Sequence, residues 1–307
     1  SLMTTVSAPA KVILFGEHAV VYGEPALAVP VSQLRTTATL SAADQLTITA
    51  TDMDETLVFT QADAAHPLVQ MTTLTLRFLD ALPPEVNITL RSTIPLGSGL
   101  GSGAAVSTAL GRALALALGQ TIPDVDLNAL VYEVERIHHG TPSGIDNTVI
   151  VYERPVWFIR DSVLETLTIA QPFTLLIADT GQSALTHHAV TDVRTLVTSQ
   201  PDAWQPVLAE IGEITRQARI AIESGANERL GDLANRNHAL LQQLTVSSPA
   251  LDHLVAAARQ AGAAGAKLSG GGRGGNLIAF VTPDTADAVQ KVLVAAGAVR
   301  VFQTVIQ

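Results

Sequence analysis

Between a strand pattern, VNITLRS (Val86–Ser92), and a nearly all-apolar helical run, Ala104–Leu118, the chain carries PLGSGLGSGAA (Pro95–Ala105). Four glycines and two serines ahead of a helix leave the backbone bare where the first helical N–H groups have no partners of their own. Such a segment demands a strand–loop–helix unit and invites an anion, because converging N–H groups and the helix dipole both favour negative charge. The lysine-bearing phosphate loop GxxxxGK[ST] is excluded, since the sequence holds no Gly-Lys pair. A dinucleotide turn, GxGxx[G/A], is matched by Gly99, Gly101 and Ala104, with Asp124 further on. That turn normally follows a first strand, and its acid ends a second one, whereas Asp124 stands beside Pro123 at a helix start. An anion nest and a tight turn packing two elements both remain compatible with the stretch alone.

The 307 residues are 47% hydrophobic and 15% charged, which describes a packed globule of one large or two smaller domains rather than a disordered chain. A net charge of −10 argues against broad nucleic-acid binding, yet a few cations and a helix terminus can bind phosphate within an acidic protein. Apolar runs such as ALALALG fall short of the roughly 18–20 residues of a membrane span. SLMTTVSAPAKV does not read as a secretory signal, and Ser1-Leu2 before Met3 resembles a remnant of expression. With no cysteine, disulfides and Cys-based zinc sites are excluded, and a cytoplasmic address is expected.

The first half reads as strands and turns: AKVILFGEHAVVYG and PALAVPV as short β runs broken by Gly and Pro, then Thr37–Leu40, Leu46–Ala50 and Thr56–Phe59. His66–Leu82 has helical spacing through Leu68, Met71, Leu74, Leu76 and Phe78. Asp124–Ile137 reads as a helix capped by Asp124 or Asp126, and Val149–Tyr152 with Val156–Ile159 as a hairpin around ERP. A second half begins near Leu167 with the buried strand FTLLIAD. Helical patterns follow at Ala203–Ser224, Asn227–Leu244 and Ala250–Gly262, the middle one with Leu230, Leu233, Ala234, Asn237, Leu240 and Leu241 on one face. Strands GAKLS and NLIAFV, a helix over Asp284–Ala296 and a last strand, AVRVFQTVI, complete the pattern. The expected domains are 3–166 and 167–307, without internal repeats.

Three further motifs carry chemistry. PAKVILFGEHAVVYG sets Lys11 before four apolar residues, with Glu17 and His18 in the turn after them. A buried lysine wants an anionic partner, although on this stretch alone an edge lysine snorkelling to solvent is the commoner arrangement. EVERIHHGTPSGIDN holds Glu135, His138, His139, Ser143 and Asp146, so that two carboxylates from one segment can converge. Adjacent histidines on a helix point apart and no HExxH spacing exists, so His139 reads as a loop brace or substrate contact and His187-His188 as a solvated helix start. AKLSGGGRGGNLIAF is a second glycine-rich loop, with Lys267 and Arg273.

In this order, these motifs resemble the GHMP kinase superfamily over nearly the whole chain, and most closely its mevalonate-phosphorylating members. AKVILFGEHAVVYG, PLGSGLGSGAA, IHHGTPSGIDN and KLSGGGRGG are similar to its first motif, phosphate loop, catalytic loop and last motif, and DTGQSALT (Asp179–Thr186) to a substrate-side segment. The resemblance implies an α+β, two-domain GHMP kinase fold. Its N-terminal domain would resemble domain 2 of ribosomal protein S5, its C-terminal domain would be ferredoxin-like, and the active site would lie in the cleft. It also implies phosphorylation of the mevalonate 5-hydroxyl by ATP with Mg²⁺. Related acceptors such as phosphomevalonate, and a catalytically weak sensor on the same fold, stay open. Carried over residue by residue, Asp146 would be the catalytic base with Lys11 beside it, and Glu135 would bind magnesium. Pro95, Gly97, Ser98, Gly99, Leu100, Gly101, Ser102, Gly103 and Ala104 would hold ATP. Lys11, Glu17, His18, Asp146 and Thr186 would contact the acceptor. No nucleic acid or membrane is expected as a partner, and a homodimer is a candidate assembly. One position departs from the family loop: Gly103 replaces a serine that normally helps hold magnesium, leaving that role to Ser102, to water or to nothing.

Overall fold

A computed structural model describes residues 4–140 and 142–307; the Ser1-Leu2 pair and Thr141 of the catalytic-loop motif lie outside them. The chain divides into two compact units, one of residues up to Lys11, Pro30–Leu96 and Leu100–Glu153, the other of Val12–Val29, Gly97–Gly99 and Arg154–Gln307.

The first unit contains the start of β1 (Thr5–Phe15), most of β2 (Ala26–Ala42), β3 (Thr47–Ala50), β4 (Glu55–Val58) and β5 (Val86–Ser92). Strand order runs β4-β3-β5-β2, and β1 also pairs with β2. β5 is antiparallel to β2 and parallel to β3, the crossover passing through α1 (Pro67–Phe78). Helices α1, α3 (Asp124–His139) and α4 (Ile145–Tyr152) pack on α2 (Ser102–Ala117), which rests on β5. The alanines of α2 permit this closeness. A Cβ at Gly111 would lie 2.8 Å from Met71 Cε and 2.9 Å from Leu127 Cδ1, inside contact distance of both neighbouring helices.

The second unit is built on an antiparallel sheet, β11-β8-β10-β9, of β8 (Phe173–Asp179), β9 (Gly265–Ser269), β10 (Asn276–Val281) and β11 (Arg300–Ile306). In chain order this is 4-1-3-2, the ferredoxin-like arrangement. Between β8 and β9 stand α5 (Thr186–Ser199), α6 (Pro201–Ser224), α7 (Leu230–Gln243) and α8 (Pro249–Gln260); α9 (Ala286–Ala295) joins β10 to β11. Two short strands, β6 (Val156–Phe158) and β7 (Glu165–Thr166), pair with each other, and β6 pairs with Ala26–Ala28 at the start of β2.

Three expectations need correction. Val149–Tyr152 is the end of α4, not a hairpin arm: NTVIVY looks like a strand by composition, but Asn147–Val151 are all buried, and packing against α2 and α3 outweighs β-branching. β2 is one strand of 17 residues, not two short runs. Its Pro30 falls between the stretch pairing with β6 and the stretch pairing with β5, so its missing N–H is not asked for by either of those ladders. Neither Asp124 nor Asp126 caps α3. Pro123 occupies the N-cap, and both aspartates sit in the first turn, where they favour the positive helix end.

Candidate active site

The glycine loop does what its composition demands. Gly97, Gly99 and Gly101 have φ of +63°, +80° and +78°, and a Cβ at Gly97 or Gly99 would meet nothing within 4 Å. Gly101 is the N-cap of α2, and no side chain caps the helix, so its first N–H groups stay available to an anion. Gly101 also lies against Lys11: a Cβ there would come 3.1 Å from Lys11 Cγ and 2.7 Å from Ile150 Cδ1. The Lys11 N–H donates to Leu100 O at 3.0 Å, which ties β1 to the loop. In the second unit, the Asn276 side-chain amide donates to the Ser98 carbonyl.

Lys11 is 4% exposed and finds the anion that its burial requires, with Nζ 2.9 Å from Asp146 Oδ1. Asp146 stands in the first turn of α4, after Gly144 at φ +90°, and the Ser143 hydroxyl accepts from the Ile145 N–H. α4 is keyed to α3 through Asn128, which accepts from Asn147 at 2.6 Å and donates to Thr148 at 3.2 Å.

Glu135 belongs to the same unit. It and Asp146 line a cavity of about 190 Å³ with Pro142, Ser143, Gly144 and Asn147. Burial pushes the Glu135 carboxyl above its ordinary range; Asp146 adds to the shift, while His139 and Lys11 oppose it. Its ion-pair partner is His139, at 3.8 Å. Gly103 faces it, for a Cβ there would lie 3.2 Å from Glu135 Oε1. Among the described residues no cluster of three His, Asp or Glu could hold a metal alone. A cation at Glu135 would therefore complete its shell with ligand oxygens and water, as Mg²⁺ bound with phosphates does, and a half-buried carboxyl without a strong cation partner suits it. Ser102 is not among the cavity-lining residues.

The remaining predicted residues gather within the second unit. Gly16, at φ +98°, has no room for a side chain: a Cβ would run into Pro25 O and lie 2.6 Å from Ala26 Cα. This tight turn presents Glu17 and then His18, itself at φ +66°. Glu17 Oε2 accepts from Lys267 Nζ at 2.5 Å and from the Gly270 N–H at 3.3 Å. His18 Nε2 donates to Gly271 O at 2.8 Å, which leaves Nδ1 as an acceptor, and burial lowers the ring's pKa despite that bond and Glu17. Thr186 packs on Gly271, where any Cβ would strike its hydroxyl. Both cations of the last glycine loop are engaged. Lys267 holds Glu17, and Arg273 holds Asp192 at 2.5 Å and the Thr245 carbonyl at 3.0 Å. His187 and His188 are the exposed start of α5. The Lys267–Glu17 pair escaped sequence reasoning; its one local trace was a lysine inside the apolar strand GAKLS.

Family models describe both halves of the chain: "GHMP kinases N terminal domain" matches residues 68–154 and "GHMP kinases C terminal" residues 218–299. Mevalonate kinase of Thermococcus gammatolerans is 34% identical over 95% of this chain and 93% of its own length, and that of Pyrococcus furiosus likewise 34% over 95% and 93%. The crystal structure of L. major mevalonate kinase in complex with R-mevalonate superposes with a TM-score of 0.87 and 29% identity, covering 99% of this chain and 96% of that one. The chain belongs to the GHMP kinases. The two archaeal relatives named here, each covered over nearly its full length, are mevalonate kinases.

Proposed function

We propose that the chain transfers the γ-phosphoryl group of ATP to the 5-hydroxyl of mevalonate. The observation that carries the chemistry is the buried Lys11 paired with Asp146 at 2.9 Å, on a strand whose Lys11 N–H is bonded to the glycine loop. Phosphoryl transfer asks a protein for positioning and charge neutralisation more than for covalent work. Asp146, held through Oδ1, takes the proton of the attacking hydroxyl on its other oxygen. The Lys11 ammonium stabilises negative charge at the hydroxyl oxygen and the transferring group. The glycine loop and the α2 N–H groups hold phosphate oxygens. Glu135 would hold Mg²⁺, which when bound supplies positive charge to the phosphates. Glu17, His18 and Thr186 bind the acceptor.

The test is ADP release across mevalonate, phosphomevalonate, galactose and homoserine, repeated with Asp146→Asn. Turnover of mevalonate alone is expected. The variant should fold and bind ATP while losing about 10²–10⁴-fold in kcat, the usual share of a general base. Turnover of another acceptor in place of mevalonate overturns the substrate reading, and near-normal kcat in the variant removes Asp146 from the role.

A further inference from the structure

Glu17 and Lys267 are 250 positions apart and bury each other almost completely, with side chains 2% and 0% exposed. Lys267 Nζ donates to Glu17 Oε2 at 2.5 Å and to Leu268 O at 2.7 Å, and lies 5.8 Å from the centre of the Phe15 ring. The Gly270 N–H adds a second donor to Oε2. Glu17 Oε1 is buried and, among the described residues, has no hydrogen-bond partner. One carboxylate oxygen thus takes two donors while the other takes none, although an ionised carboxylate can accept about four. A purely structural ion pair would be expected to satisfy both oxygens, because an unpaired buried acceptor is costly. The backbone allows Glu17 little latitude, since Gly16 has no room for a Cβ and His18 is fixed to Gly271.

We propose that Lys267 is a positioning residue for acceptor recognition, holding Glu17 with Oε2 engaged and Oε1 reserved for a hydroxyl of the acceptor. The inference rests on the mevalonate kinase reading above. The Lys267 ammonium is already committed to Glu17 Oε2 and Leu268 O, and so it acts through Glu17, whose Oε1 has no such partner. Without the ammonium, Glu17 is a buried carboxylate lacking its counter-ion. Its side chain then leaves that position, and the oriented acceptor is lost.

The test compares wild type, Lys267→Met, Glu17→Gln and the double variant, measuring kcat and the KM for mevalonate and ATP separately and checking fold by thermal melting. Each single variant is expected to raise the mevalonate KM about tenfold or more with kcat and the ATP KM within about twofold, and the double variant to be no worse than the worse single. Additive losses overturn the proposal, as does a parallel fall in kcat and rise in both KM values, the mark of a structural role. If Lys267→Met does not fold, Lys267→Gln keeps a donor for Oε2 without the charge; should neither fold, the lysine is structural and the proposal fails. A wild type inactive on mevalonate overturns the underlying reading instead, and is distinguished by failing before any variant is compared.

Discussion

At the residue scale, two glycines of one loop play different parts. Gly101 is bound to be glycine twice over, by a left-handed φ of +78° and by the Lys11 stem that crosses its missing side chain. Gly103, in the first turn of α2, has no left-handed φ, so a serine meets no backbone strain there. Its Cβ would lie 3.2 Å from Glu135 Oε1, a contact needing a few tenths of an ångström of relief, and its hydroxyl would become a neighbour of that carboxyl. Gly103→Ser is therefore expected to keep or raise turnover and to lower the Mg²⁺ concentration for half-maximal activity, read from a magnesium titration at saturating ATP. Loss of ATP binding would show that α2 cannot tolerate the side chain and that the glycine is needed sterically.

At the scale of elements, α7 and β9 approach so closely that a Cβ at Gly231 would lie 2.5 Å from the Ala264 backbone. His238 of α7 completes the joint: Nδ1 accepts from the Leu268 N–H at 3.1 Å, and Nε2 donates to Asp252 at 2.9 Å. That pattern needs a neutral ring, because a proton on Nδ1 would face the Leu268 N–H. Burial accordingly lowers the His238 pKa, with Asp252 opposing, and burial lowers that of His18. The unfolded chain takes up these protons below about pH 6.5, while the folded one resists them. Stability should be level above that pH and fall beneath it, by at most about 1.4 kcal/mol per pH unit for each histidine. Melting temperatures between about pH 7.5 and about pH 5.5 measure this, and His238→Asn should flatten the slope; an unchanged slope in the variant removes His238 as a cause.

The same joint illustrates what was legible. The face Leu230, Leu233, Ala234, Asn237, Leu240 and Leu241 is buried as its spacing predicts. Glycine positions foretold the loop before α2 because composition there dictates conformation. NTVIVY misled because its neighbours, not its own propensity, decide its form. Lys11, Asp146 and Glu135 were readable as motif residues, and their convergence in one unit is visible only in the fold. The hold of Lys267 on Glu17, and the bond from His238 to β9, join segments too distant for any local pattern to announce.

At the scale of the whole molecule, a chain of net charge −10 is expected to bind a polyanion, and its site cations are already committed. Lys11 is paired with Asp146, Lys267 with Glu17 and Arg273 with Asp192. With Lys11 proposed to serve the transferring group, most of the phosphate charge would fall to backbone N–H groups and to the metal proposed at Glu135, so nucleotide binding is expected to depend steeply on Mg²⁺. A ligand bound only by the folded state adds about 2.7 kcal/mol of stability at a hundred times its Kd. For a chain of this size that is a rise of about 4 °C in Tm. MgATP is expected to produce that rise in wild type and in Asp146→Asn, whose loss lies in proton transfer rather than in binding. ATP with EDTA should produce little of it, and Glu135→Gln should lose most of the difference between the two conditions. Equal shifts with and without Mg²⁺ in wild type would mean that the loop's N–H groups suffice for the nucleotide, and would take Glu135 out of the metal site.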